Sequence, residues 1–394
     1  MRQEVNEFLR IKSKPKYFIF LIIYFFLFPI SKLLYGRKNR WIICERKSEA
    51  QDNGYIFYKY LKSNHPEIKP FYIIDKNCAD AKKFGRDDKL INYGSLSHLM
   101  AAIGSRVCIS TQLFGYAPWI VFATYLRRKR VHNKHIFLQH GIIKNDHRGL
   151  HGDVCKSLDI FICGAFPEFR YISEKFEYYQ GVPKYTGLAR YDLLPFNLTR
   201  TKDQILIMPT WRANLRNLTK DDFYQSDFYR EWNKILTNKM LLDACRSKRL
   251  KIKFYLHHEM QQFSDLFNSN DVVDVLKYGE LTVQQLLIDS KLLITDFSSV
   301  YFDFAYMGKP EIFFQFDEAT FNTNHYEKGY FDYRKDGFGD VLTNSDNVIE
   351  SIKKYIENGF QVEEFYSRKT KDFFHFHDSN NCQRIYEAIE SLLK

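Results

Sequence analysis

The sequence predicts an α/β protein with two doubly wound domains facing a cleft, preceded by a membrane-associated segment. Three observations support this prediction. Short apolar runs alternate with helical stretches from residue 41 onwards, the alternation starts again after residue 200, and the first 40 residues are apolar and basic. Strands that alternate with helices are typical of a parallel sheet covered by helices. With 394 residues, the chain is long enough for two such domains.

The N-terminal segment, residues 1–38, concentrates positive charge around an apolar run. Residues 1–40 contain nine Lys or Arg and two Glu, which contributes +7 to the chain's net charge of +11. Residues 17–31 are uncharged, and as a helix they would extend about 22 Å, less than the ~30 Å hydrocarbon core. No small-residue cleavage site follows, which argues against a signal peptide. We expect a membrane-embedded or monotopic anchor at anionic headgroups, with a buried first helix as the alternative; whether the segment spans the membrane stays open.

Charge and cysteine usage argue against several other classes. The remaining 354 residues carry a net charge of only +4, so the basic excess does not indicate a nucleic-acid groove. The seven cysteines are scattered without a Cys-x-x-Cys pair, which predicts neither a zinc site nor a disulfide framework and fits a reducing cytoplasm. A second basic run, residues 127–130, follows the apolar residues 117–126, and it suits either a membrane surface or the solvated end of a core helix.

The first domain is predicted over residues 39–197 and the second over residues 198–394, with a linker near residues 195–201. Strands of the first domain are expected at residues 41–44, 71–74, 106–110, 136–139 and 159–163, with a helix over residues 54–63. Strands of the second domain are expected at residues 204–208, 253–256, 272–276, 292–295 and 312–314, followed by mainly helical residues 347–394. Ligands of open α/β sheets bind beyond the carboxyl ends of strands, so polar residues that follow these strands are the candidates for chemistry.

The turn after the strand at residues 292–295 carries Asp296, Ser298 and Ser299, and a helix is expected to start there. A helix that begins with two hydroxyls offers cap oxygens, free N–H groups and the positive end of its dipole. This combination predicts a phosphate or diphosphate site. The alternative is that Asp296 or Ser298 only caps the helix.

Three other strand ends carry unusual polar groups. His140 follows one strand and precedes Gly141, and its imidazole suits proton transfer near neutral pH, with a structural histidine as the alternative. Arg212 follows another strand, where it would grip a phosphate through two parallel bonds or stand on a surface loop. His257 and His258 are adjacent, which is not metal-ligand spacing on one strand face, so one functional histidine is expected. An arginine, two histidines and a helix N-terminus around one cleft fit phosphoryl or nucleotide-diphosphate chemistry.

In this combination the motifs resemble those of the CDP-glycerol glycerophosphotransferase family, which includes teichoic-acid primases and polymerases and their capsule-synthesis relatives. The resemblance covers roughly residues 40–375. The motifs that carry it, in the order of the family, are Asp52–Gly54, His140-Gly141 with Lys144, Gly187–Asp192, Pro209–Arg212, Leu256-His257, Thr295–Ser299, Phe302–Phe304 and Tyr326–Tyr333. Two departures stand out: His258 occupies the place of a usual Pro, and Gly187–Asp192 lacks the usual Pro before its arginine.

The resemblance implies a GT-B-like fold of two Rossmann-like domains, an acceptor-side domain and a CDP-donor-binding domain, with the active site between them. It implies transfer of a polyol phosphate, glycerol phosphate or ribitol phosphate, from a CDP-linked donor to an acceptor hydroxyl with release of CMP. His140 would be the general base, and His257 would stabilise charge on the transferred phosphoryl group or the leaving group. The residues that would hold the donor diphosphate are Arg212, Thr295, Ser298 and Ser299, while Asp296 and Asp303 would orient the turn or contact the donor polyol.

The implied acceptor is a lipid-linked saccharide or polymer, as in teichoic-acid-like or capsule polymer synthesis, which predicts an enzyme at the cytoplasmic face of the cell membrane. No cofactor or dedicated metal site is indicated, although Mg²⁺ held chiefly by the donor phosphates would leave little trace in the sequence. No nucleic-acid partner is expected. The alternatives are a GT-B glycosyltransferase that uses a sugar nucleotide for cell-surface polysaccharide synthesis, and a non-catalytic membrane-associated binding protein.

Overall fold

The structure, a computed structural model, describes residues 14–118, 133–147, 150–151, 157–324 and 328–394. The chain forms two compact units. Unit 1 comprises Met1–Ile142, His147–Leu193 and Asp378–Lys394, and unit 2 comprises Ile143–Asp146 and Leu194–His377. The basic run at residues 127–130, for which a membrane contact was one of two interpretations, lies outside the described residues.

Each unit is built on a parallel sheet. In unit 1 the strands are β1 (Trp41–Cys44), β2 (Phe71–Ile74), β3 (Leu90–Asn92), β4 (Val107–Ser110), β5 (Lys134–Phe137), β6 (Ile160–Cys163) and β7 (Pro183–Tyr185), in the order β3-β2-β1-β4-β5-β6-β7. In unit 2 they are β8 (Gln204–Ile207), β9 (Lys251–Tyr255), β10 (Val273–Leu276), β11 (Leu292–Thr295), β12 (Glu311–Phe314) and β13 (Gly339–Leu342), in the order β10-β9-β8-β11-β12-β13. The predicted α/β class with two parallel sheets is confirmed.

Many of the described connections between strands contain α-helices, which is usual for crossovers in a parallel sheet. In chain order they are α1 (Lys14–Tyr35), α2 (Asn53–Asn64), α3 (Leu96–Gly104), α4 (Phe166–Lys175), α5 (Lys220–Tyr224), α6 (Asp227–Leu236), α7 (Lys239–Ser247), α8 (Val283–Asp289), α9 (Tyr301–Tyr306), α10 (Glu318–Asn324), α11 (Tyr333–Asp336), α12 (Ser345–Glu357), α13 (Glu364–Phe373) and α14 (Asn381–Leu393). Short 3₁₀ segments occur at Ala79–Lys83, Ala189–Leu193 and His258–Leu266.

Helix α1 packs one side against unit 1 and leaves much of its apolar surface exposed. Phe20 and Tyr35 join the core that contains Leu99 and Ile103 of α3. The two helices approach so closely at Gly104 that any side chain there would overlap the main chain of α1. Of the described helices, α1 alone is long and apolar enough to cross a membrane, and only 11% of its most apolar stretch is buried. This low burial disfavours the alternative of an ordinary buried first helix.

The predicted second domain extended to Lys394, whereas the compact unit 2 ends at His377 and α14 belongs to unit 1. The reason is local. Both carboxylate oxygens of Asp192 accept N–H bonds from the start of α14, from Asn381 and Cys382, each at 2.8 Å. A carboxylate at a helix N-terminus satisfies free N–H groups and complements the helix dipole, so Asp192 fixes this helix to unit 1.

Candidate active site

Four loops of unit 2 lie side by side at the carboxyl edge of its sheet. They follow β9, β8, β11 and β12, which are consecutive neighbours in the sheet. We call them the carboxyl-edge loops, and they comprise His257, residues 209–212, residues 296–299 and residues 315–317. The connections run in opposite directions from β8 and from β11, so these strands flank the topological switch point, where open α/β sheets bind their ligands.

Arg212 joins three of these loops through buried hydrogen bonds. Its Nε and Nη2 donate to the two carboxylate oxygens of Asp317 at 2.7 and 2.9 Å. Nη2 also donates to Oδ2 of Asp296 at 2.8 Å, and Nη1 donates to the Thr210 carbonyl at 2.7 Å. Burial by itself lowers the pKa of Arg212, but the charges of Asp296 and Asp317 outweigh it and raise that pKa. The guanidinium is therefore a permanent cation at the centre of the switch point.

The bidentate partner of Arg212 in this structure is Asp317, whereas the sequence predicted a phosphate in that place. Four of the five N–H groups of a guanidinium are used by the bonds just described. Within the described part of the chain, one N–H remains to meet a ligand in this arrangement. The role of Arg212 in binding the donor phosphate stays a prediction, and Asp317 is a residue of this site for which the sequence predicted no role. Its signal was available, because Asp317 follows a strand end just as Arg212 and Asp296 do.

Asp296 and Thr295 are fully buried and their polar atoms are engaged within unit 2. Oδ1 of Asp296 accepts from the Thr210 and Phe297 backbone N–H groups at 2.8 and 2.6 Å. The Thr295 hydroxyl donates to the Met208 carbonyl at 2.7 Å. Both side chains therefore tie β11 to the loop after β8, which favours an orienting role for Asp296 over direct contact with a ligand.

The two serines lie in the turn before α9 and not at its first position. Helix α9 begins at Tyr301, because the turn is two residues longer than the sequence suggested. Its N-cap is Val300, and no side chain accepts a capping hydrogen bond there. Oγ of Ser298 accepts from the Val300 N–H at 3.5 Å, and Ser299 is exposed. Asp303 is buried one turn into this six-residue helix. The predicted phosphate contacts of Ser298 and Ser299 stay predictions, and they would come from the turn itself.

His257 packs against the loop that carries Arg212. Its ring stacks on Trp211 at a centroid distance of 6.3 Å, and its Nδ1 accepts from the Glu259 N–H at 3.3 Å. His258 is exposed and lies 3.5 Å from the Glu259 carboxylate. Of the two neighbouring histidines, His257 is thus the one that packs against Trp211, and its selection as the functional histidine stays a prediction.

His140 belongs to unit 1, where it follows β5. His140 is an exposed residue, yet enough protein surrounds its imidazole for desolvation to lower its pKa. The Asp52 carboxylate opposes this effect, whereas Arg46 and Arg190 add to it. A lowered pKa keeps the imidazole neutral near pH 7, which is the form that accepts a proton. The shared cleft that the sequence predicted for His140 and the residues of unit 2 stays a prediction.

Lys144 belongs to the motif of His140-Gly141 that carries the resemblance, but the sequence indicated no role for it. It lies in the short segment of unit 2 that interrupts unit 1, and its ammonium is buried. Nζ donates to the Phe297 carbonyl at 2.6 Å and to the Tyr333 hydroxyl, and it lies 4.9 Å from the centre of the Tyr301 ring. Burial lowers its pKa to about 7, although the Asp296 charge acts in the opposite direction. Lys144 thus braces the turn that contains Asp296, Ser298 and Ser299.

Among the described residues, no group of three or more His, Cys, Asp or Glu side chains is arranged to hold a metal ion. The carboxylates nearest the switch point, Asp296 and Asp317, are both occupied by Arg212. A Mg²⁺ ion in this site would therefore depend on oxygen ligands from a bound diphosphate. The possible use of Mg²⁺ stays a prediction.

Comparison with known sequences places this geometry among transferases. The profile of the family described as CDP-Glycerol:Poly(glycerophosphate) glycerophosphotransferase matches residues 182–391, which is more than half of the chain. The minor teichoic acid biosynthesis protein GgaB of Bacillus subtilis strain 168 is 32% identical over 372 residues, which cover 91% of this chain and 40% of that protein. The teichoic acid poly(glycerol phosphate) polymerase of the same strain is 22% identical over 361 residues, which cover 86% of this chain and 46% of that polymerase. The chain therefore spans less than half the length of these relatives.

Solved structures agree on the fold. A structure of the wall teichoic acid polymerase TagF superposes with a TM-score of 0.68 at 16% identity and covers 97% of this chain and 99% of that one. The complex of Staphylococcus aureus MnaA with UDP gives a TM-score of 0.56 at 13% identity, covering 91% of this chain and 97% of that one. At such low identity these likenesses show the fold alone, and they confirm the predicted GT-B-like architecture.

Proposed function

Because the chain belongs to the CDP-glycerol:poly(glycerophosphate) glycerophosphotransferase family, we propose that it transfers glycerol phosphate or ribitol phosphate from a CDP-linked donor to an acceptor hydroxyl and releases CMP. The relatives are named as a poly(glycerol phosphate) polymerase, a poly(ribitol-phosphate) polymerase and a glycerol-phosphate transferase, which supports this reaction class and leaves the polyol open. The product would be a teichoic-acid-like or capsule polymer.

The observation that carries the proposal is the convergence of the carboxyl-edge loops at the switch point of unit 2. There the permanent cation of Arg212, the imidazole of His257 and the hydroxyls of Ser298 and Ser299 follow adjacent parallel strands. In this proposal the one N–H of Arg212 that its carboxylate and carbonyl partners leave available and the two serine hydroxyls donate hydrogen bonds to the diphosphate oxygens. We place the CDP moiety of the donor at this edge, with its diphosphate over the turn that Lys144 braces.

In the proposed reaction, the neutral imidazole of His140 accepts the proton of the acceptor hydroxyl. The acceptor oxygen then bonds to the phosphorus that carries the polyol, and the bond from that phosphorus to the oxygen shared with CMP breaks. His257 stabilises the negative charge that develops on the phosphoryl oxygens or on the departing CMP. This mechanism requires that His140 of unit 1 and the donor bound to unit 2 serve one reaction.

The acceptor in this proposal is lipid-linked, and α1 holds the enzyme at the cytoplasmic face of the membrane. The exposed side chains on α1 include Phe25, Phe26 and Leu33, which are 75%, 68% and 78% exposed. Water is a poor solvent for such a surface, while the boundary between headgroups and acyl chains accommodates it. Confinement at the membrane would raise the effective concentration of a lipid-linked acceptor.

A donor screen tests the proposal directly. Purified protein in vesicles that contain a lipid-linked acceptor is supplied with CDP-glycerol, CDP-ribitol, UDP-glucose or GDP-mannose, and nucleotide release is measured. We expect CMP release with a CDP-polyol, and its loss in a His140→Gln variant that keeps the thermal stability of the wild type. Turnover only with a sugar nucleotide would favour the glycosyltransferase alternative, and absence of turnover with every donor would overturn the proposal.

A further inference from the structure

We propose that Asn53 and Arg190 are positioning residues that hold the loop carrying His140 in its working conformation. The inference rests on the proposed role of His140, and it assigns a purpose to two sequence motifs that the proposed reaction leaves unused. These motifs are Asp52–Gly54, at the start of α2, and Gly187–Asp192, at the 3₁₀ segment after β7.

The loop needs such support because the residue before His140 adopts an unusual conformation. Gln139 has a φ of +59°, in the left-handed region that costs a residue other than Gly on the order of 1 kcal/mol. The Asn53 side-chain amide donates to the Gln139 carbonyl at 2.9 Å. The Gln139 side chain is itself buried, and its Nε2 donates to the Ile162 carbonyl and to Glu168. Hydrogen bonds from three separate elements therefore fix the direction in which the chain enters His140.

Arg190 supports the same loop from its other side. Its Nη1 donates to the His140 carbonyl at 2.8 Å and to the Asp52 carboxylate at 2.8 Å. Its backbone N–H donates to Oδ1 of Asn53 at 3.0 Å. Asn53 thus connects the two supports, since its amide nitrogen holds Gln139 while its amide oxygen holds the backbone of Arg190. Asn53 and Arg190 are both buried, so water competes little for these bonds.

The neighbouring motif residues fit this arrangement. Gly54 sits against Glu45, because a Cβ there would lie 2.9 Å from the Glu45 side chain. Glu45 in turn accepts the backbone N–H groups of Gln51, Asp52 and Tyr55 at 2.9, 3.0 and 2.7 Å, which fixes the start of α2. A side chain at Gly187 would overlap that of Asn381. Each motif therefore has a backbone anchor, and Asn53 and Arg190 are the members that reach towards His140.

The charges of this network reach the imidazole as well as its backbone. The groups that act on His140 are Asp52, which raises its pKa, and Arg46 and Arg190, which lower it, while a hydrogen bond with the Thr111 backbone also raises it. Glu45 contacts the Asp52 backbone, and burial raises the pKa of Glu45 to about 8, with the Asp52 charge adding to the effect. Removing Arg190 should therefore raise the His140 pKa, and removing the Asp52 charge should lower it.

The test uses the full chain with ¹³C-labelled histidine and compares Arg190→Gln, Arg190→Lys, Asn53→Ala and Asp52→Asn. The matched control is Arg170→Gln, at an exposed arginine of α4 that pairs with Glu174. NMR titration of the His140 resonance, assigned with a His140→Gln variant, should show a higher pKa in Arg190→Gln and a lower one in Asp52→Asn. In CMP-release assays we expect Asn53→Ala and Arg190→Gln to lower kcat at least tenfold while the donor KM changes less than threefold. Arg190→Lys should recover part of the loss, and Arg170→Gln should match the wild type.

The two arms separate this inference from the proposed function. If the wild type itself releases no CMP, the proposed function fails, while opposite shifts of the His140 pKa in the two charge variants still support the network. If the wild type is active, a folded Arg190→Gln variant with an unchanged His140 titration and unchanged kcat would overturn the inference. Should Arg190→Gln fail to fold, the titration of Asp52→Asn decides. The wild-type Asp52 side chain is partly exposed, so we expect this substitution to leave the fold intact.

Discussion

Replacement of Lys144 by Met tests whether a buried ammonium really braces the turn after β11. Methionine keeps the length and volume of the side chain and removes its charge. The lysine pKa falls from 10.5 in the unfolded chain to about 7 in the folded one. Between these values the unfolded chain binds more protons than the folded chain, so the free energy of unfolding rises with pH. At ~1.4 kcal/mol per pKa unit, wild-type stability should rise by about 2 kcal/mol between pH 7 and pH 9 relative to Lys144→Met.

The variant also loses a contribution that does not depend on pH. The Phe297 carbonyl and the Tyr333 hydroxyl lose the partner that Nζ provided, which costs about 1–3 kcal/mol when the groups stay buried. The pH-dependent part is therefore the diagnostic one, because it reports the ammonium alone. The other titratable groups around it, Asp296, Tyr301 and Tyr333, are present in both proteins and largely cancel in the difference.

The assay is urea unfolding at pH 7, 8 and 9, followed by the fluorescence of Trp211 and Trp232 with the other two tryptophans replaced by Phe in both proteins. These two report unit 2, which matters because a protein of two units need not unfold in one step. Lys335→Met, at an exposed lysine of the same unit, is the control and should show no such trend. A difference between wild type and Lys144→Met that stays constant from pH 7 to pH 9 would refute the reasoning.

Three further predictions concern the carboxyl-edge loops, the metal and the membrane. Arg212→Lys cannot bridge Asp296 and Asp317 together, so urea unfolding of unit 2 should show a loss of about 3 kcal/mol, and a loss below 1 kcal/mol would contradict the buried network. EDTA should lower CMP release and added Mg²⁺ should restore it, whereas equal rates with and without EDTA would show that the donor needs no metal. Phe25→Ser combined with Phe26→Ser should weaken sedimentation with anionic vesicles at least tenfold, since each exposed ring contributes about 2 kcal/mol when buried. The control for that measurement is Leu96→Ser, at an exposed leucine of α3. Unchanged sedimentation of the α1 variant would refute membrane contact through these rings.

Most of the central strands could be predicted from sequence, and most of the edge strands could not. The predicted strands at residues 41–44, 71–74 and 292–295 match β1, β2 and β11 residue for residue. The strands that escaped prediction, β3, β7 and β13, all lie at an edge of a sheet. A central strand of a parallel sheet is buried on both faces and reads as a continuous apolar run, whereas an edge strand is partly exposed and lacks that signal.

The candidate site shows the same division. The sequence identified His140, Arg212, His257 and the turn at residues 296–299 because each follows a predicted strand. It did not reveal what Arg212 binds, since a guanidinium beside a strand end suits a carboxylate as well as a phosphate. The pairing of Arg212 with Asp317 depends on β12 lying next to β11. The local sequence of a strand does not determine which strands lie beside it in the sheet.

By itself, the sequence determined the fold class, the two sheets, the apolar basic N-terminus and the positions of the polar strand ends, because these follow from local periodicity and composition. Tertiary structure alone decided that residues 143–146 join unit 2, that α14 joins unit 1 and that Lys144 is buried. It also decided that Gln139 adopts a left-handed conformation held by Asn53. The physical reason is that burial, pKa and backbone strain are set by groups far apart along the chain, which only folding brings into contact.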